Sequence, residues 1–145
     1  NAERIRGFMD AMRTYNIPED EYMVAGDRFS IKSGYAQSKR LLQSKQPPTA
    51  FFTLNNLIAL GVLQAVHELS YSIPEDVSLV SFDEQVYSAF LNAPMTTIEQ
   101  NKEKIGRMAV QKLLKQMNGE ELDKELFIKV ETKLHERKSI KKLKV

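Results

Sequence analysis

Short apolar segments alternate with helical patterns along the first part of this chain, and this alternation limits the fold more than any other feature. Apolar residues spaced three or four apart predict helices, whereas short apolar runs between turn residues predict buried strands. The predicted order is helix 2–15, strand 21–26, helix 31–44, strand 49–54, helix 56–69 and strand 77–82. Because strands joined through a helix pair in parallel, the sequence predicts an α/β fold with a parallel sheet and helices on both faces.

The last third of the chain has a different pattern. Residues 93–98 are predicted to be extended, and residues 102–118 form a clear predicted helix that Gly119 closes. The apolar stripe of this helix is formed by Ile105, Met108, Ala109, Leu113 and Met117. Residues 126–134 alternate apolar and polar side chains, as a half-buried strand does. The C-terminal third therefore adds a helix and a strand to the parallel unit.

Composition and charge exclude several classes of function. The 145 residues are enough for one domain with a sizeable core. A formal net charge of +2 gives no strong field toward nucleic acid or a membrane surface, although residues 133–145 carry six basic side chains and one acidic one. No apolar run approaches the ~20 residues that a membrane-spanning helix needs, so no membrane partner is predicted.

Neither a metal site nor a cofactor site is predicted. The chain has no cysteine, and its two histidines, His67 and His135, have no partner at the spacing of a metal motif. The sequence also lacks glycine-rich phosphate loops and the nucleophile elbow of hydrolases. The sequence therefore predicts no cofactor, no metal ligand and no catalytic residue.

Side chains suited to binding a ligand follow each predicted strand. Phe29 comes after the first strand, Asn55 after the second and Asp83 directly after the third. In open parallel sheets, ligands bind beyond the carboxyl ends of the strands. A carboxylate and an amide can pair with neighbouring hydroxyl groups, a ring can cover the C–H face of a sugar, and Arg4 on the first helix adds several donors. Together these residues have the groups that a polyol-binding site requires.

The same residues also have simpler explanations, which the residues alone leave open. Asn55 can serve as a helix cap, Asp83 as a turn residue and Phe29 as part of the core. An aspartate at a strand end can also accept a phosphoryl group, bind a metal or act as a base. The partners that these roles need are not visible at a recognisable spacing.

Four stretches of the chain resemble one protein family, in the same order and at matching spacing. They are ERIRGFMDAM at residues 3–12, PTAFFTLNNLIALGVLQAVHELSYSIPEDVSLVSFDE at residues 48–84, APMTTIEQNKEKIGRMAVQKLL at residues 93–114 and VETKLHERKS at residues 130–139. They resemble the effector-binding region of the lactose-repressor and galactose-repressor family of bacterial transcription regulators. The resemblance covers nearly the whole chain.

The resemblance implies part of a type I periplasmic-binding-protein-like fold. Members of the family join an N-terminal helix-turn-helix DNA-binding domain to a core of two subdomains, and the effector binds between them. By this resemblance, residues 1–97 form the second subdomain, incomplete at its start. Residues 98–122 contain a helix of the first subdomain after a hinge crossing, and residues 123–145 contain one or more returning strands and the basic tail. The chain is therefore expected to be a fragment without its DNA-binding domain.

The resemblance also implies which residues contact the effector. These contacts fall on Arg4, Phe29, Asn55 and Asp83. Two positions depart from the family pattern. Asn56 replaces an aspartate that often follows the asparagine, which changes the charge expected near the site. Ser81 replaces the glycine that commonly precedes the aromatic residue of the GFD motif, a change expected to affect packing rather than the effector.

The function implied by the resemblance is that of a non-enzymatic effector-binding domain in a cytoplasmic transcription regulator, a repressor. The implied partners are a sugar or sugar-phosphate effector and operator DNA, the latter through the missing helix-turn-helix domain. A homodimer is also expected, because the apolar stripe of helix 102–118 would otherwise be exposed. The nearest alternative is a periplasmic or lipoprotein sugar-binding protein of the same fold. A more distant one is an α/β enzyme, such as a phosphotransfer protein that uses Asp83.

Overall fold

The computed structural model describes residues 2–120 and 128–142. Within these ranges the elements, in chain order, are α1 (Ala2–Thr14), α2 (Ile31–Leu42), β1 (Ala50–Thr53), α3 (Asn56–Glu68), β2 (Ser78–Phe82), a short 3-10 helix (Val86–Ala89), β3 (Thr96–Gln100), α4 (Lys102–Met117) and β4 (Thr132–His135). The four predicted helices are all present, and the strands predicted at 49–54 and 77–82 are present as β1 and β2.

The four strands that the structure describes form a sheet in the order β1-β2-β3-β4. The first three strands are parallel, and β4 runs antiparallel to β3. In this register Thr53 pairs with Ser81, and Ser81 pairs with Thr97. Because parallel strands end at the same edge, the segments that follow β1, β2 and β3 meet there.

Helices cover both faces of the sheet. Successive side chains of a strand point to opposite faces, and two neighbouring phenylalanines of β1 show this clearly. Phe51 packs against the buried core on the side of α3. Phe52 stacks on Phe8 of α1, with ring centroids 6.1 Å apart. The predicted α/β architecture, with a mainly parallel sheet between helices, is confirmed.

The core lies between the sheet and helices α2 and α3. Its buried side chains are Leu42, Ala59, Val62, Val66, Val77, Leu79 and Met95. Fully burying an aliphatic side chain the size of valine or leucine contributes about 1.5–3 kcal/mol relative to leaving it exposed. This layer holds β1 and β2 in place and so fixes the positions of the residues at their carboxyl ends.

Two glycines allow α2 and α3 to touch through their backbones. A Cβ atom on Gly61 of α3 would lie 2.3 Å from the carbonyl oxygen of Ile31, and one on Gly34 of α2 would lie 2.6 Å from that of Ile58. A real Cβ atom does not approach a backbone oxygen so closely, so glycine is required at both positions. These contacts place the first turns of α2 and α3 side by side.

The strand predicted at residues 21–26 is wrong. These residues belong to no ladder, and β1 pairs with β2. Met23 and Val24 are 64% and 52% exposed, whereas Tyr22 packs edge-on against Phe8 of α1 with ring centroids 5.8 Å apart. An apolar run becomes a strand only when a neighbouring strand takes up its backbone hydrogen bonds. Here the contact that half-buries Tyr22 comes from a helix instead.

The last strand begins later than predicted and returns antiparallel. The alternating pattern predicts a strand over residues 126–134, of which residues 126 and 127 lie outside the described part of the chain. Residues 128–131 are not in a strand, and β4 starts at Thr132. Its register pairs His135 with Thr97, and Nε2 of His135 lies 2.7 Å from a carboxylate oxygen of Glu99. β4 is thus attached to β3 by both backbone and side-chain contacts.

Helix α4 keeps its apolar residues largely exposed. Its ends match the sequence pattern, because the Asn101 side chain accepts a hydrogen bond from the amide of Lys104, and Gly119 beyond the C-terminus has a φ of +73°. No residue of α4 is buried, and Leu113 and Met117 are 55% and 73% exposed. The predicted apolar stripe is therefore available to another surface.

Candidate ligand-binding site

The carboxyl edge of the parallel strands brings predicted site residues together. β1 and β2 are in register at Thr53 and Ser81, and Asn55 and Asp83 each follow two residues later. Asp83 also lies beside β3, because its amide donates a 2.9 Å hydrogen bond to the carbonyl of Ile98. The edge therefore carries an amide and a carboxylate from neighbouring strand ends.

Arg4 reaches this edge from the first turn of α1. Its guanidinium lies 3.8 Å from the centroid of the Phe82 ring, and its Nη1 donates a hydrogen bond to the carbonyl of Leu54. The same nitrogen is 3.7 Å from Oδ2 of Asp83, and the side chains of Arg4 and Asp83 are 21% and 18% exposed. A cation and an anion thus face each other at the edge, and both remain reachable from solvent.

Gln100 belongs to the same edge, and the sequence analysis missed it. It is the last residue of β3, and its Nε2 donates a 2.5 Å hydrogen bond to Oδ1 of Asp83. The rule that picked out Asn55 and Asp83, a polar side chain at the carboxyl end of a parallel strand, also applies to Gln100 once β3 is known to reach it. The predicted extended segment 93–98 stops before Gln100, however, so it points to no side chain at this strand end.

Asp83 has an unusual backbone conformation. Its φ is +75°, in the left-handed region that costs a non-glycine residue about 1–2 kcal/mol. Such a conformation persists where the surrounding contacts determine it. Here the amide is bonded to β3, while Gln100 and Arg4 face the two carboxylate oxygens. The carboxylate is therefore held in one direction.

Asn55 caps helix α3, as its simpler explanation proposes. Its backbone is extended, and its Oδ1 accepts a 2.9 Å hydrogen bond from the amide of Ile58. This bond fixes the side chain at the start of the helix but does not use its NH2 group. The cap and a ligand contact are therefore compatible, because they involve different atoms of the same amide.

Phe29 is not part of the core, because 41% of it is exposed. It directly precedes Ser30, whose side chain caps α2 by accepting a hydrogen bond from the amide of Ser33. Since the first turns of α2 and α3 are adjacent, Phe29 lies at the same end of the helical layer as Asn55. Among residues 2–120 and 128–142, no cation–π or ring contact connects Phe29 with the side chain of Arg4.

The side chain of Glu84, the residue after Asp83, is directed at Arg137 and Thr97. Burial alone would raise its pKa, but hydrogen bonds from Arg137 and Thr97 outweigh this and hold the pKa of Glu84 below its ordinary value of 4.5. The Arg137 guanidinium donates to both carboxylate oxygens, at 2.8 and 3.0 Å, and this bonding raises the pKa of Arg137. The two neighbouring acids therefore differ, with Asp83 at the edge and Glu84 ionised against a fixed arginine.

The edge provides hydrogen-bonding groups rather than a metal-binding cluster. In the part of the chain that the structure describes, no three histidine or acidic side chains come together as metal ligands. Nor does any helix within 2–120 or 128–142 have the length and apolar content to cross a bilayer.

A sequence profile for the family described as periplasmic binding protein-like domain matches residues 1–140. The chain belongs to this family. This periplasmic-binding-protein-like chain is similar to bacterial repressors. It is 35% identical over 138 residues to the HTH-type transcriptional repressor PurR of Edwardsiella ictaluri. The aligned region is 94% of this chain and 40% of that repressor. It is 34% identical over 137 residues to the HTH-type transcriptional repressor CytR of Escherichia coli K12. The aligned region is 90% of this chain and 40% of that repressor.

Solved structures agree with these matches. A LacI family transcriptional regulator from Enterococcus faecium with bound ribose superposes with a TM-score of 0.82 at 29% identity, covering 97% of this chain and 52% of that one. The dimeric lac repressor with an 11-residue C-terminal deletion superposes with a TM-score of 0.77 at 28% identity, covering 94% of this chain and 49% of that one.

The comparisons confirm the resemblance to the lactose-repressor family and the periplasmic-binding-protein-like fold. The two relatives reported above are transcriptional repressors. This periplasmic-binding-protein-like chain spans 40% of the length of these curated relatives, and 52% and 49% of the two solved chains.

Proposed function

We propose that this periplasmic-binding-protein-like chain is the effector-binding part of a bacterial DNA-binding transcription repressor, and that its effector is a sugar or a sugar phosphate. The observation that carries the proposal is the pairing of Arg4 and Asp83 at 3.7 Å, on the same sheet edge as Asn55. Similarity to the repressors PurR and CytR and to the ribose-bound regulator supports the functional class.

The chemistry of the edge suits a ligand with several hydroxyl groups. The Asp83 carboxylate can accept hydrogen bonds from two neighbouring hydroxyls, and the free NH2 of Asn55 can donate one. The Arg4 guanidinium adds donors that fit a sugar oxygen or a phosphate equally well. The exposed ring of Phe29 can cover an apolar sugar face if the ligand extends toward the start of α2.

The mechanism follows from dividing the chain between two walls of a cleft. In this proposal, residues 1–97 form one wall, residues 98–122 contribute a helix to the facing subdomain, and residues 123–145 return from it. The exposed apolar stripe of α4 supports this division, because a facing subdomain would cover it. An effector that contacts both walls only when the cleft is closed shifts the population toward the closed state and so changes DNA binding.

The partners and location of the whole protein are part of the proposal. It would bind operator DNA through a helix-turn-helix domain outside this chain, act in the cytoplasm and catalyse no reaction. PurR and CytR are HTH-type transcriptional repressors, which supports this part.

A homodimer is also proposed. The dimeric lac repressor is similar in structure, and this chain exposes large apolar side chains that a second copy could cover. Apart from α4, whose stripe the facing subdomain would cover in this proposal, the chain exposes Val86 and Phe90 around the 3-10 helix, at 84% and 81%. Pairing such side chains across a two-fold axis would remove them from water.

The nearest alternative is a sugar-binding protein of an uptake system. It shares the fold and would use the same site chemistry. Similarity to repressors over 90% or more of the chain favours the regulator.

A thermal-shift screen of sugars and sugar phosphates on the intact protein tests the proposal. A ligand that binds only the native state raises the free energy of unfolding by about 2.7 kcal/mol at a hundredfold excess over its Kd. We expect at least one compound to raise the Tm. Asp83→Asn should clearly reduce that rise, and Glu75→Gln, in the turn that leads into the opposite end of β2, should retain it. If no sugar or sugar phosphate raises the Tm, the proposed effector class is wrong.

A further inference from the structure

The segment after β4 is fastened to the loop that carries Asp83. The guanidinium of Arg137 donates to both oxygens of Glu84, and its Nη1 also donates to the carbonyl of Met95 at 2.7 Å and to the hydroxyl of Thr97 at 3.1 Å. The side chains of Arg137 and Glu84 are 20% and 17% exposed. A bidentate ion pair that is shielded in this way is stronger and more directional than a surface pair.

The backbone around Arg137 is held as well. Its amide donates a 2.9 Å hydrogen bond to Oγ1 of Thr96 on β3. Two residues later the buried hydroxyl of Ser139 donates to the carbonyl of Leu79 at 2.5 Å and accepts from the amide of Thr96 at 2.7 Å. Because this segment is bonded to both β2 and β3, the arginine side chain extends from a fixed point.

Glu84 transmits this constraint to Asp83 through a single peptide bond. Asp83 keeps its φ of +75° only while the residues on both sides of it are held. On one side, β2 ends at Phe82. On the other side, Glu84 is held through its carboxylate by Arg137 and through its carbonyl by Nζ of Lys102 at 3.2 Å.

We propose that Arg137 and Glu84 are positioning residues for the Asp83 carboxylate. Their ion pair holds the loop after β2, so that Asp83 stays directed at Arg4 and Gln100 rather than turning toward solvent. The importance of Asp83 for a ligand rests on the proposed function, whereas its positioning by Arg137 can be tested without any ligand. The C-terminal segment after β4 thereby controls the geometry of a site that it does not itself contact.

The test uses amide hydrogen exchange and NMR on the intact protein and its Arg137→Met variant. We expect the Asp83 amide to exchange at least about tenfold faster in the variant, because its hydrogen bond to Ile98 opens more often. The carboxyl carbon resonance of Asp83 should shift at the same time, as its contacts with Arg4 and Gln100 loosen. The reference is the amide of Ala65, which is fully buried in α3.

Three further variants separate positioning from general destabilisation. Arg137→Lys keeps the charge and should restore part of the protection of Asp83. Glu84→Gln keeps the shape of the loop and should reproduce the effect if Arg137→Met does not fold. Lys141→Met removes the other ion pair of this segment, to Glu75, and should leave Asp83 unchanged. Asp83 exchange that stays unchanged, or that rises only in step with Ala65, overturns the proposal.

The outcomes also distinguish this inference from the proposed function. If Asp83 responds to Arg137→Met although no sugar binds the protein, the positioning role stands and the proposed effector class fails. If Asp83→Asn abolishes sugar binding while Arg137→Met leaves both the amide and the carboxyl resonance of Asp83 unchanged, the positioning role fails and the proposed function stands.

Discussion

Arg4 of the first helix and Asp83 of the loop after β2 lie 3.7 Å apart, with the guanidinium stacked over the ring of Phe82. Both side chains are about one-fifth exposed, so water reaches both charges while neighbouring groups hold them in place. A ligand that enters here would replace water around two charges that are already held in place. Such preorganisation favours binding, because little ordering remains to be done.

Asp83→Asn is expected to weaken binding of the sugar identified in the screen by at least about tenfold, or about 1.4 kcal/mol. The neutral amide offers one acceptor oxygen where the carboxylate offers two, and it no longer balances Arg4. Isothermal titration calorimetry measures the change, with Glu75→Gln as the matched control outside the site. Equal affinity in Asp83→Asn and the unsubstituted protein would remove Asp83 from the ligand contacts.

Asn55 allows its two roles to be separated by two substitutions. Asn55→Ala should lower the free energy of unfolding by about 1 kcal/mol, because α3 loses its N-cap, whereas Asn55→Asp should keep most of that stability. Sugar binding should weaken in both variants, since neither retains the side-chain NH2. Denaturant unfolding and calorimetry measure the two effects. Tight sugar binding by Asn55→Asp would leave Asn55 with its capping role alone.

Gly61→Ala is expected to destabilise the protein by about 2 kcal/mol, because its methyl group would overlap the carbonyl of Ile31 and push α2 away from α3. Gly106→Ala is the matched control. A Cβ at Gly106 of α4 meets no atom within 4 Å, so this change should stabilise the helix by about 0.5–1 kcal/mol. Urea unfolding measures the free energy of unfolding of both variants, which should fall for Gly61→Ala and rise for Gly106→Ala. Equal effects would mean that α2 and α3 are not in close contact.

The lowered pKa of Glu84 predicts that part of the free energy of unfolding depends on pH. Its pKa is lowered in the folded protein, so the folded state binds fewer protons than the unfolded state below the ordinary value of 4.5. The ion pair therefore stabilises the fold above that pH and loses its effect as the pH falls through the folded pKa. Glu84→Gln should cost about 2 kcal/mol at neutral pH and progressively less in acid.

Denaturant unfolding of Glu84→Gln and of the unsubstituted protein across a pH series measures the difference in their free energies of unfolding. Glu75→Gln serves as the control, because Glu75 is 69% exposed and its pair with Lys141 is a surface pair. A difference between Glu84→Gln and the unsubstituted protein that stays constant down to strongly acidic pH would show that Glu84 does not titrate as described.

Phe90→Asp tests the proposed dimer. Phe90 is 81% exposed, so the substitution should leave the fold intact while placing a charge in an apolar interface. We expect the dimer to dissociate at least about tenfold more readily, as measured by sedimentation velocity over a range of concentrations. Tyr15→Asp, at a residue that is 77% exposed beyond the end of α1, is the control. An unsubstituted protein that sediments as a monomer at every concentration contradicts the dimer.

Much of the local structure could be predicted because it depends on residues that are close in sequence. Ser30, Asn55 and Asn101 each accept a hydrogen bond from an amide three residues ahead, so the starts of α2, α3 and α4 are encoded locally. Strand ends in a parallel sheet share an edge, which is why the sequence alone places Asn55 and Asp83 together.

Tertiary packing decided which apolar run became a strand. Residues 21–26 and 49–54 each contain a short apolar run, but only the second has a neighbouring strand to share its backbone hydrogen bonds. A sequence pattern records the preference of a segment and not the presence of its partner.

The sequence by itself determined the helices, the caps at their starts and the segments that became β1 and β2, because these depend on periodicity and on contacts within a few residues. Only the tertiary structure decided that Arg4 faces Asp83, that Gln100 joins them, and that Arg137 holds Glu84 from the far end of the chain. The physical reason is that these side chains are distant in sequence, and their contacts exist only once the packed sheet and helices have fixed where each backbone lies.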